Sequence, residues 1–86
     1  MVKEGDLVAI FHSIHRVMKA EKILKQQRAE ILLIPVPRQL TSDCGLAIRL
    51  APEARTEVWD LLERESLLPA ELYRRHDGQY IPLELP

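Results

Sequence analysis

The sequence contains little cysteine, glycine, aromatic side chain or net charge. Its 86 residues include one cysteine and three glycines, 5% of them are aromatic, and the formal net charge at pH 7 is −1. A single cysteine excludes an internal disulfide and is typical of a reducing compartment. Because a basic excess and an aromatic stacking surface are both missing, the composition does not favour a nucleic-acid partner.

Long apolar runs are also absent. No segment approaches the roughly 20 apolar residues that span a bilayer, so no membrane partner is expected. The first six residues are too polar for a secretory signal, and we therefore expect a cytoplasmic location. The length and the 47% hydrophobic content predict a single domain, residues 1–86, with a modest core.

Hydrophobic patterning in the first half predicts a strand, a helix and two further strands. A first strand at 6–12 is apolar at every core position, which is typical of a central strand covered on both faces. Ser13 is a good N-cap for a helix to about residue 27. The apolar stripe of this helix is expected at Ile14, Val17, Met18, Ile23 and Leu24. Strands at 30–34 and 45–50 follow, and alternation in the second directs Leu46, Ile48 and Leu50 to one face.

The second half predicts a helix and a strand. Pro52 suits the first turn of a helix that ends at Pro69. Its apolar stripe is expected at Val58, Trp59, Leu61 and Leu62. A fourth strand at 72–75 precedes a tight turn at Asp77-Gly78, after which Tyr80-Ile81 could pair back briefly.

The resulting order, β-α-β-β-α-β, predicts an α+β fold. Short connections and right-handed crossovers favour a ferredoxin-like split βαβ sandwich, with two helices on one face of a four-stranded antiparallel sheet. The first two strands are apolar on both faces, so part of 7–10 or 31–33 should be exposed in a monomer. This would suggest a homodimer or another partner, unless Trp59, Tyr73 or Tyr80-Ile81 covers that face.

The single cysteine lies at a loop-to-strand junction, in Ser42-Asp43-Cys44-Gly45. The predicted topology brings the end of the first strand and the start of the first helix to the same edge of the sheet. We therefore expect His12, Ser13 and His15 to lie near Cys44.

A thiolate is the reactive form of cysteine, and nearby positive charge favours it. The start of the first helix, Arg38, Arg49 or a protonated His15 would supply that charge, whereas the carboxylate of Asp43 would oppose it. Gly45 permits a positive φ or a crowded backbone beside the thiol. The alternative is an inert cysteine, because Cys44 is in phase with Leu46 and free cysteines are often buried as small hydrophobes.

Two segments resemble a known family. Pro35-Val36-Pro37-Arg38 followed by residues 41–49 (TSDCGLAIR) is similar to the core of small bacterial proteins named selenium/sulfur carrier-like proteins. The segments at 12–15 and 19–24 resemble that family's first strand–helix junction and helix. The resemblance covers about 7–50, and the chain departs from the family's pattern at Gln27-Arg28-Ala29, which lacks a glycine for the turn.

The resemblance implies that Cys44 accepts sulfur or selenium as a persulfide or selenosulfide. It also implies a cysteine desulfurase-type donor and an acceptor enzyme as partners, and no cofactor is expected. The residues expected to support the thiol are Asp43, Gly45, Arg38, Arg49, Ser13 and His15.

Three other functions remain open from the residues alone. The first is a non-catalytic interaction or regulatory module in which the cysteine is structural. The second is a metal site formed by His12, His15 and Cys44; no motif supports it, and no metal is expected. The third is a stand-alone enzyme with Cys44 and His15 as nucleophile and base, which is less favoured than a carrier because the chain has no obvious oxyanion-hole motif.

Overall fold

The computed structural model describes residues 2–85, which form one mixed α+β layer structure. Its strands and helices are β1 (Leu7–Ile10), α1 (Ile14–Gln26), β2 (Ile31–Pro35), β3 (Leu46–Leu50), α2 (Arg55–Arg64), β4 (Glu71–His76) and β5 (Gln79–Leu83). A single 3₁₀ turn at Pro52–Ala54 leads into α2. All neighbouring strands are antiparallel, in the order β2-β3-β1-β4-β5. The predicted α+β class, antiparallel sheet and two helices are confirmed.

The expectation of four strands was wrong, because the chain after Asp77-Gly78 forms a full fifth strand. Asp77 and Gly78 both have positive φ values, 52° and 76°. Two successive residues with positive φ match the twist of a two-residue hairpin. The carboxylate of Glu4 accepts hydrogen bonds from both of their backbone N–H groups, at 2.7 and 3.0 Å. The turn is thus held at both residues, and β5 pairs with β4 from residue 79 to residue 83.

Strand β1 is the centre of the sheet and of the core. It pairs with β3 on one side and β4 on the other, and all four of its residues are buried. Leu7 and Ala9 pack into the larger core cluster beneath the helices, whereas Val8 and Ile10 pack into a smaller cluster on the opposite face. The prediction of a central strand covered on both faces is therefore confirmed.

The sheet face opposite the helices is covered at its centre. We call its buried cluster, Val8, Ile10, Ile34 and Ala47, the back-face cluster. The partly buried residues that pack against it are Val2, Val36, Leu40, Tyr73 and Tyr80. Of the two segments expected to be partly exposed, β2 is the one that is, since Leu32 is 42% exposed, whereas all four residues of β1 are buried. Tyr73 and Tyr80 act as the predicted cover, whereas Trp59 packs on the helix side.

Helix α1 buries a narrower stripe than the sequence predicts. Val17, Ala20 and Leu24 are its buried residues, whereas Ile14 and Met18 are 43% and 42% exposed. Among the described residues, neither helix has the length and apolar character needed to cross a membrane.

Both helices end without glycine. Arg28 and Ser66 adopt φ values of 59° and 56°, the left-handed conformation that usually requires glycine after a helix. Beyond each, a backbone N–H closes the helix: Ala29 donates to Leu24 O at 3.0 Å and Leu67 donates to Leu62 O at 2.8 Å. The missing glycine at 27–29 is thus replaced by Arg28 itself. The second helix ends at residue 64, before the predicted stop at Pro69.

Candidate functional site

The cysteine lies in a tight turn, residues 42–45, that we call the Cys44 turn. The N–H of Gly45 donates to the carbonyl of Ser42 at 3.4 Å. Cys44 is a free thiol of intermediate exposure, and its apolar side packs at the margin of the helix-side core with Leu46. The predicted phase of Cys44 with Leu46 is confirmed, but the thiol is neither fully buried nor fully exposed.

The sulfur has two oxygen neighbours of different character. The Sγ–H donates to the carbonyl of Leu46 at 3.5 Å. The hydroxyl of Ser42 lies 3.6 Å from Sγ and also accepts from the N–H of Cys44 at 3.4 Å. Because that hydroxyl keeps its own proton, it can donate to Sγ once the sulfur is ionised. The turn can therefore hold either form of the sulfur.

Gly45 is required for its backbone angle and not for space. Its φ is +74°, and a Cβ added there would meet nothing within 4 Å. Of the two roles predicted for this glycine, the positive φ is thus present and the crowding is not.

We expect Gly45→Ala to reduce the free energy of unfolding by about 1–2 kcal/mol, because an L side chain is strained in the left-handed region. Gly78→Ala is the matched control, since Gly78 has a φ of +76° and equally open surroundings. Urea unfolding should show similar losses for both variants, while only Gly45→Ala alters the alkylation rate of Cys44. Equal alkylation rates would show that the backbone angle at Gly45 does not position the thiol.

His12 joins the Cys44 turn to the sheet. Its Nδ1 accepts a hydrogen bond from the backbone N–H of Asp43 at 3.3 Å. Its Nε2 lies 2.6 Å from Oε2 of Glu71 in β4. Since Nδ1 accepts, the neutral ring carries its proton on Nε2 and donates it to Glu71. The end of β1, the turn and β4 are thereby connected through one imidazole.

Glu71 is held in turn by Tyr73, two residues further along β4. The phenol donates to Oε1 of Glu71 at 2.6 Å. This hydrogen bond, together with the one from His12, holds the pKa of Glu71 below its ordinary value. The same contact with Glu71, reinforced by partial burial, raises the pKa of Tyr73. A series of hydrogen bonds thus runs from Tyr73 through Glu71 and His12 to the backbone of the Cys44 turn.

We expect Tyr73→Phe to raise the pKa of Glu71 toward its ordinary value, because the first cause of its depression is removed. The folded-state pKa of Glu71 is depressed, so its hydrogen bonds stabilise the fold above the ordinary glutamate range and are lost as the pH falls through the lowered pKa. Titration of the Glu71 carboxyl carbon by NMR measures this directly. An unchanged titration curve in the variant would contradict the assigned cause.

The predicted site residues near the helix start have different roles. The hydroxyl of Ser13 accepts from the N–H of Arg16 at 3.3 Å, which confirms its prediction as the N-cap of α1. His15 is exposed and makes no side-chain hydrogen bond within residues 2–85. Asp43 contacts His12 through its backbone N–H. The expected meeting of the first strand's end with the cysteine loop therefore occurs through His12 and Asp43.

The two predicted arginines lie elsewhere. Arg49 donates from Nε to Asp6 Oδ2 at 3.0 Å and lies 3.7 Å from Glu30. Arg38 is exposed and lines a cavity of about 290 Å³ together with Arg75 and Tyr80. In the part of the chain that the structure describes, no hydrogen bond or ion pair connects either guanidinium with the thiol.

The structure does not assemble the metal-ligand set considered above. Within residues 2–85, no group of three or more His, Cys, Asp or Glu side chains is placed to hold a metal ion. His12 is instead engaged with Glu71 and the Cys44 turn.

Sequence reasoning missed Ser42, Glu71 and Tyr73. Ser42 was part of the quoted motif, and its spacing of two residues from Cys44 is that of a turn whose hydroxyl caps a backbone N–H. Glu71 and Tyr73 share a face of β4 because they are two residues apart. Glu71 stands opposite Ile10 in the sheet register, so only the pairing of β1 with β4 reveals its nearness to His12.

Comparison with known proteins identifies one family. The family model described as "Putative Se/S carrier protein-like" matches residues 6–74, which is well over half of the chain and includes Cys44. No curated protein and no solved structure matches the chain.

Proposed function

The chain belongs to the Se/S carrier protein-like family, and we propose that it carries a sulfur or selenium atom on Cys44. The observation that carries this proposal is the position of the chain's one cysteine, which lies inside the matched segment at a half-exposed turn. A single thiol is sufficient for a carrier, because release of the cargo needs no resolving cysteine on the carrier itself.

Loading is a transfer between sulfurs with no net oxidation. The Cys44 thiolate attacks the terminal sulfur of a donor persulfide, and the new S–S bond forms on Sγ while the donor's S–S bond breaks. The donor leaves as a thiolate and takes up a proton from water, so Cys44 holds the persulfide. A donor that carries terminal selenium would give the selenosulfide by the same exchange.

The neighbours of Sγ support both stages of this exchange. Before transfer, the Leu46 carbonyl accepts a hydrogen bond from the thiol. During transfer, the Ser42 hydroxyl is placed to donate to the ionised sulfur, 3.6 Å away. Hydrogen bonds to the charged form favour that form. The same turn thus serves a resting thiol and a reacting thiolate.

The proposed partners follow from the chemistry. A cysteine desulfurase-type enzyme, which holds its sulfur as a persulfide, is the proposed donor, and an enzyme that consumes sulfur or selenium is the proposed acceptor. Both reactions need the sulfur to reach another protein's thiol or substrate, and the partial exposure of Cys44 meets that need.

The test is sulfur uptake by the reduced protein. Incubation with a cysteine desulfurase and cysteine should add the mass of one sulfur atom, and treatment with dithiothreitol should remove it. Peptide mapping should place the added mass on Cys44. If the wild-type protein gains no sulfur from the desulfurase or from glutathione persulfide, the carrier function is wrong.

We also infer that the fold is a ferredoxin-like sandwich extended by one strand. Support comes from the order β2-β3-β1-β4 within the sheet, in which β3 runs antiparallel between β1 and β2. Strand β5 then adds to the outer edge of β4. A crystal structure that placed β4 away from β1 would contradict this inference.

A further inference from the structure

We propose that His12 is a positioning residue for chalcogen transfer, and that its neutral ring holds the Cys44 turn whereas its protonated ring releases it. The inference rests on the proposed function and adds a regulator to the same site. It is carried by the two hydrogen bonds of the imidazole, to the N–H of Asp43 and to the carboxylate of Glu71.

The backbone of His12 adopts a strained conformation that places its ring. Its φ is +60°, a left-handed conformation that is strained for a residue other than glycine. This residue lies two positions after Ile10, the buried last residue of β1, and directly precedes the N-cap of α1. The left-handed step turns the ring between β4 and the Cys44 turn. Strain of this kind persists where surrounding contacts fix it, as they do here on both sides of the ring.

The two contacts specify one tautomer. A backbone N–H can only donate, so Nδ1 must be unprotonated to accept from Asp43. The ionised carboxylate of Glu71 accepts a hydrogen bond from Nε2–H through Oε2, and its other oxygen accepts one from the hydroxyl of Tyr73. The carboxylate therefore orients the ring and fixes its proton on the nitrogen remote from the turn.

Protonation of the ring breaks only one of its two hydrogen bonds. The bond to Glu71 persists, because Nε2 still donates. The bond to Asp43 is lost, because Nδ1 then carries a proton that faces another N–H. The titratable residues joined to the ring by hydrogen bonds are Glu71 on β4, with Tyr73 behind it, and Asp43 on the turn, which contributes its backbone N–H. Among these, only the turn loses a partner when His12 becomes charged.

The Cys44 turn depends on this anchor. Within residues 2–85, the hydrogen bond to His12 is the one that joins Asp43, the residue before the cysteine, to another part of the chain. The remaining bonds of the turn are internal, between Ser42, Cys44, Gly45 and Leu46, apart from the ladder bond of Gly45 O with Val36 N. Release of Asp43 would therefore let the Ser42 hydroxyl and Sγ lose their alignment.

The experiment compares wild type with His12→Asn across pH. Asparagine tolerates a positive φ, but its shorter side chain cannot join Glu71 to the turn. With glutathione persulfide as the donor, we expect wild type to load three- to tenfold faster at about pH 8, the effect of one lost hydrogen bond. The ratio should fall to about one at the pH at which the NMR spectrum shows the His12 ring protonated on both nitrogens. His15→Asn is the matched control and should track wild type at every pH.

A constant ratio across pH would overturn the proposal, since a purely structural role of His12 would not change with ring charge. If His12→Asn fails to fold, Glu71→Ala provides the second variant, because it frees Nε2 without altering the left-handed residue. The same loss at high pH is expected for it. A long-range ¹H–¹⁵N spectrum should show His12 protonated on Nε2 at about pH 8, and a ring protonated on Nδ1 would also overturn the proposal.

Amide exchange at Asp43 separates this inference from the proposed function. The Asp43 N–H should exchange three- to tenfold more slowly in wild type than in His12→Asn at about pH 8. If wild type takes up no sulfur yet shows this protection, the carrier function fails and the anchoring by His12 stands. If sulfur is taken up but loading and Asp43 exchange are equal in the two proteins, the function stands and the positioning role is wrong.

Discussion

Cys44→Ser is expected to take up no sulfur or selenium, whereas the wild-type protein accepts one atom. A serine hydroxyl does not ionise near neutral pH and cannot form the S–S bond on which the transfer depends, and the chain has no second cysteine to replace it. The fold should be little affected, because the thiol is only partly buried and a hydroxyl can donate to the same Leu46 carbonyl. Changes at such sites usually stay within about 0.5 kcal/mol.

Ser42→Ala is the control variant for this experiment. This variant keeps the thiol and removes the hydroxyl that lies 3.6 Å from Sγ. We expect it to load fully but about three- to tenfold more slowly, since one hydrogen bond to the ionised sulfur is lost. Intact-mass spectrometry over time, with urea unfolding of each variant, measures both quantities. A sulfur adduct on Cys44→Ser would place the cargo elsewhere and contradict the proposed site.

The sequence predicted the structure correctly where a local pattern of side chains determines it. Alternation along β3 correctly placed Cys44 with Leu46 on the helix side, because the two faces of a strand differ by one residue. The unbroken apolar run of β1 correctly indicated burial on both faces. Ser13 was recognised as a cap because its hydroxyl suits the free N–H groups of a helix start.

The parts that could not be predicted depend on strand register or on strained backbone. Glu71 approaches His12 only because it lies opposite Ile10 in the β1–β4 pair, and no local pattern states that register. His12, Arg28 and Ser66 take left-handed angles that their residue types do not favour. Each is fixed by contacts made with other parts of the chain or by the helix end that it closes.

The residues that cover the back face of the sheet also could not be predicted from local sequence patterns. The apolar run in β1 indicated that its back face is covered but did not decide what covers it, and Tyr80 from β5 and Leu40 from the loop before β3 pack against the back-face cluster. Neither segment carries a strong pattern of its own. Their positions follow from the hairpin at Asp77-Gly78 and from the path of the loop, which depend on contacts distant in sequence.

Ile34→Ala is expected to be the most destabilising of the substitutions discussed, with a loss of about 2–4 kcal/mol in the free energy of unfolding. Ile34 is 1% exposed and belongs to the back-face cluster. Removing three carbons there loses buried apolar surface and leaves a cavity that the neighbouring strands cannot close. Because small domains are stable by only about 5–15 kcal/mol, the change removes a large share of the total.

Leu32→Ala is the matched control for this prediction. Leu32 lies two residues earlier on the same strand and points to the same face, but it is 42% exposed. We expect it to cost under about 1 kcal/mol. Urea unfolding followed by the fluorescence of Trp59 measures both losses. A small, equal effect of the two substitutions would mean that the back face is open to solvent, and the burial of β1 on that side would then be wrong. A large effect at Ile34 alone would show that the back-face cluster, against which Val36 and Leu40 pack, is a second core of the domain.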